Sequence, residues 1–340
     1  MRRIIDIQKQ LLPDLLLTLE TRYQILHHVL LSATIGRRSL ALAVNMTERM
    51  LRSEVDFLRE QGLVEVEAMG VRITDAGRRL VAEMEPIIKS ILGLREMEEK
   101  IRLAFQLREV VIVPGDADAS PFTKQELGRA GAAVLRRAVN KDDVIAVAGG
   151  STLAEVADAL TASPVFKDNL FVPARGGLGE DVELQANSIA STMAKRTGCQ
   201  YRLLHVPDHL SEDAYTSISQ DPNIQELVDV IRGAKIVVHG IGDAVVMAKR
   251  RKVSERMIRE LKQEGVMAEA FGYYFDPSGK IVSNIPTVGL RLEDIDAIDT
   301  VIAVAGGKSK AEAIVSVLHY GREDILVTDE AAASRIIEQL

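Results

Sequence analysis

The heptapeptide VIAVAGG occurs twice, at residues 144–150 and again at 301–307. Each copy is an unbroken run of β-branched and small apolar residues that ends in Gly-Gly. A run without polar alternation must be buried on both faces, which places it in a sheet covered by helices on either side. Similar runs stand at 110–114, 170–173, 235–239 and 325–328. Helical periodicity fills 124–139, 153–160, 188–196, 224–232, 255–264 and 311–318 between them. Alternating strands and helices of this kind predict an α/β fold, a doubly wound and mostly parallel sheet. Residues 271–282 depart from the pattern and predict a hairpin turning at Pro277, Ser278 and Gly279.

Glycines at the carboxyl end of a strand let backbone N–H groups approach a ligand, and the helix start that follows favours an anion. Gly149, Gly150, Ser151 and Thr152 after the first copy are therefore candidate phosphate contacts, as are Gly307, Ser309 and Lys310 after the second. The same sequence also makes an economical turn with no ligand. Neither copy has P-loop spacing, which argues against nucleotide hydrolysis. A third glycine-rich turn, 173–180, carries Arg175 and Gly177. A fourth, 239–246, resembles a dinucleotide fingerprint, but Val245 stands where Gly or Ala belongs, so NAD is not expected. His239 is expected as a hydrogen-bonded histidine at a strand end. The basic run Lys249, Arg250, Arg251 and Lys252 reads first as a solvated face, with one member able to point into the crevice where such turns converge.

Glu180, Asp181 and Glu269 are open to acid–base roles or to capping and ligand hydrogen bonds. No nucleophile elbow, Ser-His-Asp spacing or His/Cys metal cluster is present, so the expectation is a non-enzyme without metal or cofactor.

The first hundred residues differ. Residues 36–64 predict two short helices and a turn, with Ser39 capping the first, Asn45 and Met46 turning the chain, and Thr47 capping the second. Leu51, Val55 and Leu58 form one buried stripe, leaving Thr47, Glu48, Arg49, Arg52 and Ser53 outward. Gly62 ends that helix, and 63–74 predict a hairpin. Helix, turn, capped helix and hairpin make a winged helix-turn-helix, in which Arg49 and Arg52 reach into a DNA groove while Arg37, Arg38 and Arg72 touch its backbone. A helical domain with an arginine-rich solvated face is the plainer alternative.

A length of 340 residues suits two domains: 1–86 for DNA, a helical linker at 87–107, and 108–340 for an effector and oligomerisation. The net charge of −7 argues against nucleic acid binding over the whole surface, but residues 36–52 hold four arginines against the single Glu48. Cys199 is the one cysteine, so no internal disulfide forms. Asp6, Lys9 and Asp14 interrupt any apolar leader, and no run suits a membrane span; the expected location is the cytoplasm.

Residues 36–40, 171–182, 269–275, 301–314 and 326–332 together resemble the sorbitol-operon (SorC) family of sugar-responsive repressors. The likeness runs the length of the chain. It implies a winged helix-turn-helix joined to a domain of the sugar-phosphate isomerase and deaminase type, repression of a glycolytic operon, and fructose 1,6-bisphosphate as inducer. By the same resemblance, Ser151, Thr152 and Lys310 hold one phosphate, Arg175, Gln185 and Arg250 the other, and Glu269 accepts from sugar hydroxyls. Ser151 stands where threonine is expected and keeps the hydroxyl.

The expected protein is then a repressor that binds double-stranded operator DNA as a homo-oligomer, dimer or tetramer, and is weakened by a phosphorylated sugar. A sugar-phosphate isomerase or deaminase with an accessory winged helix is the alternative, and an NAD-linked redox sensor a third reading.

Overall fold

The computed structural model describes residues 11–32, 34–177, 181–207, 212–251, 253–285 and 287–340. Two compact units divide the chain, Met1–Glu96 and Met97–Leu340. The dividing point lies inside a helix of the segment read from sequence as a linker.

In the first unit, α1 (Pro13–Ser32), α2 (Arg37–Ala43) and α3 (Glu48–Glu60) precede the hairpin β1 (Val64–Glu67) and β2 (Gly70–Ile73), with α4 (Asp75–Ile91) and the start of α5 (Leu94–Ala104) after it. The hairpin pairs Val64 with Ile73 through Glu67 with Gly70, and Ile35 bridges to Val71 on its free side. Leu51, Val55 and Leu58 of α3 are buried, the stripe that the sequence predicts, as are Leu26, Val29 and Leu40 of the two helices before it. Asn45 turns the chain with a positive φ of 51°. One cap differs from expectation. Gly36, not Ser39, is the N-cap of α2: its carbonyl accepts from Leu40 N at 2.9 Å, and its extended backbone needs no side-chain oxygen. Arg37 and Arg38 thus lie in the first turn of the helix rather than ahead of it.

The second unit carries a seven-stranded parallel sheet in the order β3-β13-β12-β7-β4-β5-β6. Its strands are β3 (Glu109–Val113), β4 (Val144–Val147), β5 (Leu170–Pro173), β6 (Gln200–Tyr201), β7 (Ile236–His239), β12 (Thr300–Val304) and β13 (Ile325–Asp329). Ile145, Val147, Val238, Ile302 and Val304 share a core with Leu127, Leu135, Leu153 and Val156 from α6 (Pro121–Ala138) and α7 (Ser151–Ala159). The remaining helices are α8 (Ala186–Thr197), α9 (Glu212–Ser219), α10 (Pro222–Arg232), α11 (Ala244–Arg250), α12 (Glu255–Gln263), α13 (Ala311–Tyr320) and α14 (Glu330–Ile337).

The two VIAVAGG strands, β4 and β12, flank β7 on either side. Both Gly-Gly turns therefore leave the same edge of the sheet, roughly 10 Å apart at two strand spacings.

A second, antiparallel sheet runs β11-β10-β9-β8. The expected hairpin supplies β10 (Tyr273–Phe275) and β11 (Ile281–Asn284); β8 (Gly242–Asp243) and β9 (Ala268–Ala270) were not anticipated. Because β8 belongs to this second sheet, the 239–246 turn does not run from a parallel strand directly into a helix, and the dinucleotide-fold context is missing.

Candidate functional site

On the first unit, Thr47 caps α3 by accepting from Met50 N at 3.3 Å, as its position predicts. Thr47, Arg49, Arg52 and Ser53 are exposed along the first turns of that helix. Arg38 pairs with Glu48 at 3.1 Å, and Arg72 on the wing pairs with Glu65 at 2.6 Å and Glu67 at 3.3 Å. Among the described residues no ion pair holds Arg37, Arg49 or Arg52. Two arginines of this helix are thus exposed without an ion pair, while the wing arginine is engaged.

On the second unit, a cavity of about 230 Å³ opens at the carboxyl edge of the parallel sheet. One wall is the first Gly-Gly turn. Gly150 N-caps α7 with φ 128° and donates its N–H to Leu184 O at 2.8 Å. A Cβ on Gly149 would lie 2.8 Å from Leu184 O, so only glycine permits this approach. Ser151 and Thr152 follow at the helix start and line the cavity beside Gln185.

The second copy behaves differently. Its N–H groups are already taken by carboxylates: Gly307 N donates to Asp329 at 2.6 Å, Lys308 N to Asp116 at 3.3 Å and Ser309 N to Asp118 at 2.8 Å. Gly307 and Ser309 do not line the cavity, whereas Lys310 does. Burial lowers the pKa of Lys310, with Lys124 and Arg250 adding to the effect while Asp118 and Asp329 oppose it. Burial raises that of Asp329 against the N–H bonds from Ala332, Ala117 and Gly307.

Another part of the lining is built on a carboxylate. Glu269 of β9, 4% exposed, accepts through Oε1 from Arg251 at 2.8 Å, from Gly272 N at 2.6 Å and from Arg175 at 3.4 Å. Gly272, with φ 81°, leaves the space that the Arg175 guanidinium occupies. Arg250, at the end of α11, is exposed and lines the same cavity.

The cavity gathers Gly149, Gly150, Ser151, Thr152, Arg175, Gln185, Arg250, Glu269 and Lys310. Gly177 stays outside it, packed against the Gln185 side chain. Arg175 lies in the glycine-rich turn but is buried at 6% exposed, and Glu269 holds two arginines, Arg175 and Arg251. Sequence reasoning missed Arg251, which a run of four basic residues disguises as a solvated group. His239 bonds Glu323 at 2.8 Å through Nε2 and lies tilted against Phe271, with ring centroids 4.3 Å apart. Glu180 and Lys252 lie outside the described residues.

Among the described residues no cluster of three or more His, Cys, Asp or Glu side chains is arranged to hold a metal ion. No described helix is long and apolar enough to cross a membrane.

Residues 89–338 match the sugar-binding domain family, and residues 18–88 match the CggR N-terminal DNA-binding domain. The chain is 47% identical over 338 residues to the central glycolytic genes regulator of Priestia megaterium, covering 99% of both chains. It is 44% identical over 337 residues to the protein of that name from Bacillus subtilis, again covering 99% of both. A SorC-family transcriptional regulator from Enterococcus faecalis superposes with a TM-score of 0.67 at 43% identity, covering 71% of this chain and 99% of that one. The full-length sorbitol operon regulator of Klebsiella pneumoniae shares the fold, with a TM-score of 0.65 at 16% identity over 89% of this chain and 94% of that one.

Proposed function

The chain belongs to the central glycolytic genes regulators of the SorC family, sugar-responsive regulators of transcription, and on that premise we propose that it is a repressor released by fructose 1,6-bisphosphate. It binds operator DNA through Arg49 and Arg52 of α3 as a homo-oligomer, since half-sites one helical turn apart require two such helices. The effector lies in the cavity of the second unit, with no chemistry done on it.

The observation that carries this reading is that several groups suited to anions line one cavity. The start of α7, with the hydroxyls of Ser151 and Thr152, suits a phosphate by its N–H groups and helix dipole. Arg175 and Arg250 elsewhere in the lining suit a second. Lys310 lines the same cavity and supplies an ammonium to the first phosphate. A ligand anionic at both ends bridges elements of the parallel and antiparallel sheets and favours one arrangement of them. A coupling of about 1–3 kcal/mol, roughly 5- to 150-fold in operator affinity, is the usual scale of such a link.

Calorimetric titration tests the ligand. The intact protein is expected to bind fructose 1,6-bisphosphate more tightly than fructose 6-phosphate, and Lys310→Gln to weaken it by about tenfold or more. Absence of binding by the bisphosphate would overturn the assignment, and turnover of a sugar monophosphate would favour an enzyme.

A further inference from the structure

The repeated heptapeptide supplies an internal comparison. Gly150 and Gly307 adopt the same backbone, φ 128° and ψ 156° in one, φ 103° and ψ 134° in the other. A Cβ at Gly150 would meet nothing within 4 Å, whereas at Gly307 it would run into the carboxylate of Asp118. The segment between β3 and α6, which carries Asp116 and Asp118, crosses to the second turn and fills it. Three consecutive N–H groups that would otherwise converge on an anion are satisfied by Asp329, Asp116 and Asp118.

We propose that Asp118 is a selectivity residue: it keeps the second Gly-Gly turn closed to anions and makes that turn a mount for Lys310. The inference rests on the sugar-phosphate reading above. Its consequence is that the pocket holds only one phosphate by backbone N–H groups, at Ser151 and Thr152. A second phosphate must then be taken by side chains elsewhere in the lining, Arg175 and Arg250, and their distance from α7 selects for the length of the ligand. The turn contributes to the first phosphate through the Lys310 ammonium alone. Lys310 is faced by Lys124 from α6, Arg250 from α11, Asp329 at the end of β13 and Asp118 itself. Asp118 therefore acts twice, as a plug for the N–H groups and as counter-charge to the ammonium.

The test uses the full-length protein and inorganic phosphate as the probe, with fructose 1,6-bisphosphate alongside. Asp118→Asn keeps an oxygen to accept from Ser309 N and removes the charge. It is expected to raise the affinity for inorganic phosphate by about tenfold, since a like charge no longer opposes the anion. It also removes support for the charged Lys310, so the alkaline fall in bisphosphate affinity moves to lower pH. Asp118→Glu is expected to restore both properties toward wild type. Unchanged phosphate affinity together with an unchanged pH profile in Asp118→Asn would overturn the proposal.

A measurement on the wild type stands apart from any folding defect. Bisphosphate is expected to slow amide hydrogen exchange at Ser151 and Thr152 and to leave Lys308 and Ser309 unaltered; slowing at both turns would also overturn it. Should the wild type bind no bisphosphate, the effector reading fails, while the comparison with inorganic phosphate still decides the role of Asp118.

Discussion

Glu269 accepts a hydrogen bond from Arg251 at 2.8 Å, with each side chain about 5% exposed. This contact ties the end of α11 to β9 and shares the Glu269 Oε1 with Arg175, whose own approach is longer at 3.4 Å. Removing one member of a buried pair leaves the other charge poorly compensated, at a typical cost of about 3–5 kcal/mol. Arg251→Ala is accordingly expected to lower the urea midpoint of the second unit. It is also expected to weaken bisphosphate binding, because Glu269 then competes for Arg175. Calorimetry on the variant below its unfolding transition reads the second effect, and unchanged affinity there would confine Arg251 to stability.

The two Gly-Gly turns are expected to respond unequally to the same substitution. Alanine at either position adopts a backbone that side chains rarely take, at a cost of about 1–3 kcal/mol. At Gly150 that strain is the whole effect, since the space is open. At Gly307 the new methyl also displaces Asp118. Thermal melts should therefore place Gly307→Ala well below Gly150→Ala, and equal melting temperatures would contradict the geometry.

On DNA, Arg49→Ala and Arg52→Ala are each expected to cost about 1–3 kcal/mol of operator affinity where they reach bases. Where an arginine meets only phosphate, the salt slope should fall by about 1 instead. Arg72→Ala is expected to matter less, because Glu65 and Glu67 already neutralise it. Binding isotherms at several salt concentrations separate these outcomes.

Lys310 gives the pH dependence a sign. Its folded pKa lies below the ordinary lysine value because burial disfavours the ammonium. Between the two values the unfolded chain holds more protons than the folded one, so this residue's contribution to stability rises with pH across that window. A bound phosphate favours the ammonium and reverses the trend for the ligand: affinity falls as pH rises through the folded pKa, and binding takes up protons. Calorimetric heats in buffers of different ionisation enthalpy should reveal that uptake in wild type and its loss in Lys310→Gln.

Much of this architecture is legible in the sequence, and the physical reason is burial. Strands covered on both faces, such as β4 and β12, must be wholly apolar, and Gly-Gly at their ends marks where backbone approaches backbone or ligand. The capped helix α3 reads directly from Thr47 and from the spacing of Leu51, Val55 and Leu58. What escapes is set by partners distant along the chain. Strand β9 is Ala-Glu-Ala, a string with no strand signature, held by β8 and β10 rather than by propensity. The edge strand β6 is two exposed residues. Arg251 reads as solvated until Glu269 is placed against it, and the contact of Asp118 with Ser309 joins positions 191 residues apart. Identical heptapeptides accordingly take different roles, because the loop that fills one turn comes from elsewhere in the sequence.

The most direct test of the central claim is the fluorescence anisotropy of a labelled fragment from the gene's own upstream region, titrated with the intact protein. It is to be repeated with fructose 1,6-bisphosphate, with fructose 6-phosphate and with buffer alone. Tight binding in buffer that is weakened by the bisphosphate, and not by the monophosphate at the same concentration, is the predicted result. Binding that stays tight with every sugar phosphate would contradict the claim that this pocket governs release from DNA.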